Sequence, residues 1–295
     1  MPRRPPRALL AVLLLVLCLL AATAPAQAGH PPAVKQPVAT GTGGAIATVD
    51  LDASAAGLEV LRAGGNAVDA AVAAAATLGV TEPYSAGVGG GGFLVAYLAG
   101  RRQVVTIDGR ETAPAAFRED SFIDPATGEP IPFAERVTSG LGVGVPGTLA
   151  TWQRALRRFG TLPLGEALAP AIRVAERGFV VDQTFHDQTA TNAARFAAFP
   201  ATAALYLPGG APPAVGSVLR NPDLARTYRL LARRGTAPFY RGRIARAIAA
   251  TVQDPPVDEA STLNVRPGLM TEADLAAYRT VTRPPTRVGG RVTVR

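Results

Sequence analysis

Cysteine, histidine, lysine and tryptophan are almost missing from this chain. In 295 residues there is one cysteine (Cys18), one lysine (Lys35), one tryptophan (Trp152) and two histidines, His30 and His186. Each scarcity removes a class of chemistry. Cys18 lies inside an apolar N-terminal run, so the rest of the chain has no thiol for disulfides, thiol nucleophiles or cysteine zinc sites. A Ser-His-Asp triad would have to use His186, because His30 sits in a proline-rich stretch, and no G-x-S-x-G elbow is present. A lone histidine in a helical stretch reads as ordinary structure. With no paired histidines, neither a metal nor any other cofactor is expected. Aromatic residues make up 6% of the chain, too few to interleave with basic residues as a single-stranded nucleic-acid platform requires.

Acidic residues are also the minority. Thirty Lys plus Arg against 22 Asp plus Glu give a formal charge of +8, and 29 of the basic residues are arginine. Such a skew reflects base composition of the gene more than a polyanionic partner. The densest group, Arg226, Arg229, Arg233, Arg234, Arg241, Arg243 and Arg246, shares its stretch with an apolar stripe of Leu224, Tyr228 and Leu231. That is the pattern of a helix with one solvated face, and no nucleic-acid partner is expected.

What is present begins with an export pattern. Arg3, Arg4 and Arg7 precede an apolar run from Ala8 to Ala22, and Ala26-Gln27-Ala28 follows with small residues suited to cleavage. Residues 1–28 read as a secretory signal peptide. The run is shorter than the ~20 apolar residues of a transmembrane helix, so no stable membrane span is expected after processing, and the remaining charge falls to +5. Export without disulfides suggests a secreted or periplasmic bacterial protein. Residues 29–40 read as a proline-rich tether and 41–295 as one domain, without internal repeats.

Along that domain, AIATV (45–49) predicts a short strand. A helix starts near Ser54 and stops at Gly64-Gly65. Asn66 then caps a second helix over 67–78, with Asp69 at the positive end of its dipole. This helix is alanine and valine nearly all round, which marks it as buried. FLVAYL (93–98) and QVVTI (103–107) form a hairpin. Residues 121–133 read as loop, helices follow over 148–158 and 164–177, and proline-rich residues 200–222 read as a surface connection. Further helices are expected at 223–234 and 241–253, then a short one opened by Thr271 and Asp274 in a capping-box arrangement.

GVGGGG (87–92) matches G-x-G-x-x-G letter for letter. That fingerprint binds a dinucleotide only between a strand and a helix, whose dipole meets the pyrophosphate; here a loop precedes and a strand follows. Gly89, Gly90, Gly91 and Gly92 instead mark a candidate pocket backbone, where the chain must approach another backbone or a ligand with no room for a Cβ. The hairpin then runs into VTIDGRETAP (105–114), with Arg110 at the strand's mouth between Asp108 and Glu111. An arginine beside a glycine-lined pocket suits a small carboxylate, since its planar fork donates two parallel hydrogen bonds and stays charged. A surface ion pair with Glu111 explains the same residue equally well, and on the residues alone both readings stay open.

Several motifs in order bear on that choice: AGGNAVDAAVAAAATLGVTEPYSAGVGGGGF (63–93), IDGRETAPA, GVGVPGT, LPLGEALAPAIRVAERGF (162–179), APFYRG (237–242) and PGLMTEADLAAYR (267–279). In sequence and spacing they resemble the γ-glutamyltransferase (γ-glutamyltranspeptidase, glutathione hydrolase) family over nearly everything after residue 28. The resemblance implies an α/β N-terminal-nucleophile hydrolase fold, an α/β/β/α sandwich present only in part. It also implies a proenzyme that cuts itself into large and small subunits. The freed threonine attacks a γ-glutamyl amide such as that of glutathione and passes the acyl group to water or an amino acid. By the IDGRETAP match, Arg110 corresponds to the arginine holding the glutamyl α-carboxylate. The nucleophile belongs to the small subunit, so no catalytic residue is expected here, and that subunit is the expected partner. The competing readings are a cephalosporin acylase neighbour, a non-catalytic exported binder of a small amino acid, and a relic that aggregates through unpaired apolar strands.

Overall fold

The computed structural model describes residues 35 and 37–286. The expected signal peptide and much of the tether lie outside the described residues. Caps and glycines set the first two helices. The helix α1 (Leu51–Arg62) starts at Asp50, whose carboxylate accepts the Ala53 N–H at 2.9 Å, and it ends before Gly64, at φ +92° in the left-handed region. Its start is three residues earlier than the sequence suggests, because the cap is the aspartate ahead of the apolar period. The helix α2 (Ala67–Thr81) opens with a complete capping box between Asn66 and Asp69. Eleven of its 15 residues are buried, as its all-round apolarity requires. It continues past Leu78 because Gly79 is there for packing: a Cβ on it would sit 2.9 Å from the Tyr228 hydroxyl and 3.2 Å from Gly87 Cα.

Strands β1 (Gly92–Leu98) and β2 (Gln103–Gly109) form the expected antiparallel hairpin, pairing Phe93 with Asp108 and Val95 with Thr106. The helix α3 (Phe133–Thr138) follows, then α4 (Thr148–Phe159), whose Ala155 packs with Ile107 of the hairpin and Val68 of α2. The helix α5 (Leu164–Arg177) packs along α2. The pair β3 (Phe179–Val180) and β4 (Val218–Leu219) brackets α6 (Gln183–Ala197) and α7 (Pro200–Tyr206). There Tyr84, Phe185, Phe196 and Tyr206 form an aromatic cluster with centroids 5.3 to 6.3 Å apart.

The helix α8 (Pro222–Arg234) covers α5 and reaches α2 through Tyr228, whose hydroxyl donates to the Ala76 carbonyl at 3.1 Å. Helices α9 (Ala237–Arg241), α10 (Arg243–Gln253) and α11 (Glu272–Ala277) close the end near the hairpin. Tyr228, Leu149, Leu168, Leu231, Met270 and Leu275 are fully buried, and each such apolar side chain contributes roughly 1.5–3 kcal/mol.

Three expectations need correcting. AIATV is in no ladder: its residues alternate between exposed and half-buried, as a strand's would, but no strand lies beside it among the described residues. The loop expected over 121–133 is present, closed by the Ile123–Pro130 bridge, and leads into α3 at Phe133. The connection expected over 200–222 holds α7 and β4, because Pro200 is tolerated at a helix's first position. The helix expected over 241–253 is broken at Gly242, where a Cβ would meet Pro238 Cα at 2.8 Å.

Candidate functional site

Arg110 directly follows β2, where the sequence places it. Its turn is pinned from three sides. The Arg110 N–H donates to Asp108 Oδ1 at 3.0 Å, the Tyr278 hydroxyl donates to the Arg110 carbonyl at 2.9 Å, and two hydrogen bonds tie the following Thr112 to Val145. On the other side, Asp108 pairs through its backbone with Val281 and through its carboxylate with Arg283 Nε at 2.5 Å. The Arg110 N–H and the Arg283 guanidinium together hold the Asp108 carboxyl below its usual pKa. Burial, with the Asp108 and Glu111 charges adding to it, pushes the Tyr278 phenol up to about 12, so it stays a proton donor.

The glycine run packs against this turn. A Cβ on Gly91 would fall 2.6 Å from the Gly109 carbonyl and 2.7 Å from Glu111 Oε2, so the expected close backbone approach occurs at this residue. The Gly90 carbonyl accepts the Gly147 and Thr148 N–H groups at 2.9 and 3.1 Å, which docks the glycine turn on the start of α4. Gly147 is as tightly held, since a Cβ on it would overlap the Gly109 carbonyl and the Tyr278 hydroxyl. Gly89 and Gly92 face open space.

The Arg110 side chain is 58% exposed, and its Nη2 lies 3.4 Å from Glu111 Oε2. That oxygen is buried against Gly91 and has no hydrogen-bond donor at normal distance. The ion pair is therefore present but loose, and it leaves most of the guanidinium's donors facing solvent. Both sequence readings of Arg110 are compatible with this geometry. The clefts of about 600, 630 and 560 Å³ elsewhere on the surface include neither Arg110 nor Gly89–Gly92 in their walls.

His186 is structural, its Nδ1–H donating to the Pro213 carbonyl at 2.9 Å. The arginine-rich face of α8 is solvated as expected, with Arg226 and Arg229 paired to Asp223 and Glu176 and the stripe residues Tyr228 and Leu231 buried. Among the described residues no group of His, Cys, Asp and Glu is arranged to hold a metal ion, and no helix is long and apolar enough to cross a membrane. Sequence reasoning missed Tyr278 and Gly147, which close the Arg110 turn. Their only signal was membership in the PGLMTEADLAAYR and GVGVPGT motifs.

The outer face of β1 is uncovered: Phe93, Val95 and Tyr97 are 65%, 67% and 63% exposed. Three consecutive outward positions of one strand are thus apolar and open to solvent.

Comparison with known proteins agrees with these motifs. The family model described as Gamma-glutamyltranspeptidase matches residues 53–292. The glutathione hydrolase proenzyme of Bacillus subtilis (strain 168) is 40% identical over 273 residues, covering 90% of this chain and 44% of that protein. The acylase ACY 1 proenzyme of Pseudomonas sp. (strain V22) is 41% identical over 253 residues, covering 84% and 43%. The chain thus spans less than half the length of these curated relatives. The crystal structure of Helicobacter pylori gamma-glutamyltranspeptidase superposes with a TM-score of 0.77 at 31% identity, covering 85% of this chain and 68% of that one. The fold is accordingly of the N-terminal-nucleophile hydrolase type, and of its sandwich the described residues supply helices and small two-stranded sheets. Motif order, matched span and superposed fold all agree, and the chain belongs to the γ-glutamyltranspeptidase family.

Proposed function

We propose that this chain supplies the large-subunit part of an exported enzyme that transfers γ-glutamyl groups from glutathione-like donors to water or amino acids. In this reading Arg110 grips the donor's α-carboxylate. The observation that carries it is the Arg110 turn: its backbone is fixed at three points while its guanidinium is only loosely paired. A charged fork with a rigid base and free donors orients a carboxylate at little reorganisation cost. The Gly91 approach and the Glu111 carboxylate steer the fork without satisfying it. In this reading the nucleophilic threonine that the family resemblance implies is supplied by a small subunit, which completes the site. The open Phe93, Val95 and Tyr97 face supports a second layer being added there. Export rests on the leader pattern of residues 1–28, with 29–40 as tether and 41–295 as the large-subunit domain.

The purified chain alone should release no p-nitroaniline from γ-glutamyl-p-nitroanilide; measurable release would overturn the division of labour proposed here. In the assembled enzyme, Arg110→Gln should lower kcat/KM by about 30- to 5,000-fold, the scale of about 2–5 kcal/mol for losing one partner of a charge pair that becomes buried when the donor binds. A binder of small amino acids is the second reading. Calorimetric binding of glutamate to this chain alone, abolished by Arg110→Ala, would favour it.

A further inference from the structure

Between α4, α9 and α11 lies a cleft of about 600 Å³ whose walls carry five arginines and no aspartate or glutamate. Arg154, Arg157 and Arg158 come from α4, Arg241 ends α9 and Arg279 follows α11, with Tyr278 between them. Among the described residues none of the five forms an ion pair. Their hydrogen bonds go to uncharged groups. Arg154 Nη1 donates to the Thr280 carbonyl at 2.6 Å and to its hydroxyl at 2.9 Å. Arg279 Nη1 and Arg241 Nη2 both donate to the Ala276 carbonyl, at 2.9 and 3.1 Å. Two guanidiniums thus meet on one neutral oxygen, with no carboxylate to offset their repulsion.

The contrast with α8 is informative. There Arg226 and Arg229 are neutralised by Asp223 and Glu176, as on an ordinary solvated face. In the cleft the arginines converge in a concave space of small-ligand size; Arg154 spends its fork on Thr280 and Thr282, while Arg157, Arg158, Arg241 and Arg279 keep donors that match an oxyanion. We infer that this cleft binds a small polyanion bearing two closely spaced oxyanion groups, of the diphosphate or polycarboxylate type. The bound anion would bridge Arg241 and Arg279 and draw on the α4 arginines. Tyr278, in the same wall, holds the Arg110 carbonyl, so the ligand rests against the post that supports the Arg110 turn.

Calorimetry on the purified chain with inorganic diphosphate, citrate and orthophosphate, at 50 and 200 mM salt, tests this. Saturable one-to-one binding of diphosphate or citrate is expected, at least tenfold tighter than orthophosphate and weaker at the higher salt. The tighter of the two identifies phosphate or carboxylate chemistry. Arg241→Gln with Arg279→Gln should weaken it at least tenfold, whereas the charge-matched pair Arg62→Gln with Arg233→Gln, outside the cleft, should change it less than twofold. If circular dichroism shows the first pair misfolded, the exposed pair Arg157→Gln with Arg158→Gln takes its place. Absence of saturable binding, orthophosphate binding as tight as the others, or equal weakening by the control pair would overturn the assignment.

Discussion

Asp69 is the buried charge on which the first third of the fold closes, and its removal has a calculable cost. The residue is fully buried. Its Oδ2 accepts the Asn66 N–H at 2.8 Å and the Thr161 hydroxyl at 2.7 Å, while its Oδ1 accepts the Leu162 N–H at 3.1 Å; the Thr161 N–H is shared between the two oxygens. One carboxylate therefore serves four donors, and it joins the start of α2 to the loop after α4. In Asp69→Asn, whichever way the amide turns, its NH₂ faces at least one of those N–H groups. One buried donor is left unpaired, at about 1–3 kcal/mol, and the remaining bonds lose their charge assistance, at about 1 kcal/mol each. The expected loss is roughly 4–6 kcal/mol, with Asp69→Ala at the same level or above. Against a total stability of about 5–15 kcal/mol, and with a urea slope of about 3 kcal/mol/M, the unfolding midpoint should fall by about 1.3–2 M.

The pH dependence carries its own sign. Burial raises the Asp69 pKa, but the hydrogen bonds from Thr161, Asn66 and Leu162 outweigh it and leave the folded value depressed. A depressed carboxylate stabilises the fold above its unfolded pKa, near 4, and that contribution disappears as pH falls through the folded value. The gap between wild type and Asp69→Asn should therefore be constant from pH 5 to 7 and shrink below pH 4. Urea titrations at pH 7, 5 and 3.5 measure it. A loss under 1 kcal/mol at pH 7, or a gap unchanged at pH 3.5, would refute the clamp.

Other substitutions probe neighbouring claims. Gly91→Ala should destabilise by about 1–3 kcal/mol through overpacking against Gly109 and Glu111, whereas Gly89→Ala, which meets nothing within 4 Å, should leave the thermal midpoint unchanged. Tyr228→Phe removes one buried hydrogen bond to Ala76 and should cost about 1 kcal/mol in urea unfolding. Replacing Phe93, Val95 and Tyr97 by threonine should lower 8-anilinonaphthalene-1-sulfonate fluorescence of the isolated chain without loss of helical circular dichroism, because those side chains are about two-thirds exposed in it.

Short-range signals were legible in the sequence. The Asn66 capping box, the all-apolar α2, the hairpin and Arg110 at its end all follow from caps, periods and short apolar strand runs within about ten residues. The closers of the site were not. Tyr278 lies 168 positions from Arg110, and nothing in residues 267–279 says that a phenol there will meet a carbonyl at a strand end. Gly160 makes the same point on a smaller scale. It is the C-cap of α4, yet a Cβ on it would also lie 2.5 Å from Asp69 Oδ1.

The strand that failed and the first of the two that formed share a cause. FLVAYL is apolar at every position, a pattern that belongs to a strand covered on both faces rather than one with a wet side. The structure half-buries Leu94 and Ala96 and leaves Phe93, Val95 and Tyr97 open. AIATV carries a similar apolar signal, adopts an alternating exposure and finds no partner, with Val49 64% exposed. Apolar patterning records how much surface a segment is built to bury; it does not say which polypeptide buries it. If those side chains are meant to be covered, then a segment that pairs with this chain should protect the β1 amides from hydrogen exchange while leaving those of the enclosed α2 unchanged. Protection spread evenly over both would mean that the partner stabilises the whole fold and leaves the open face as it is.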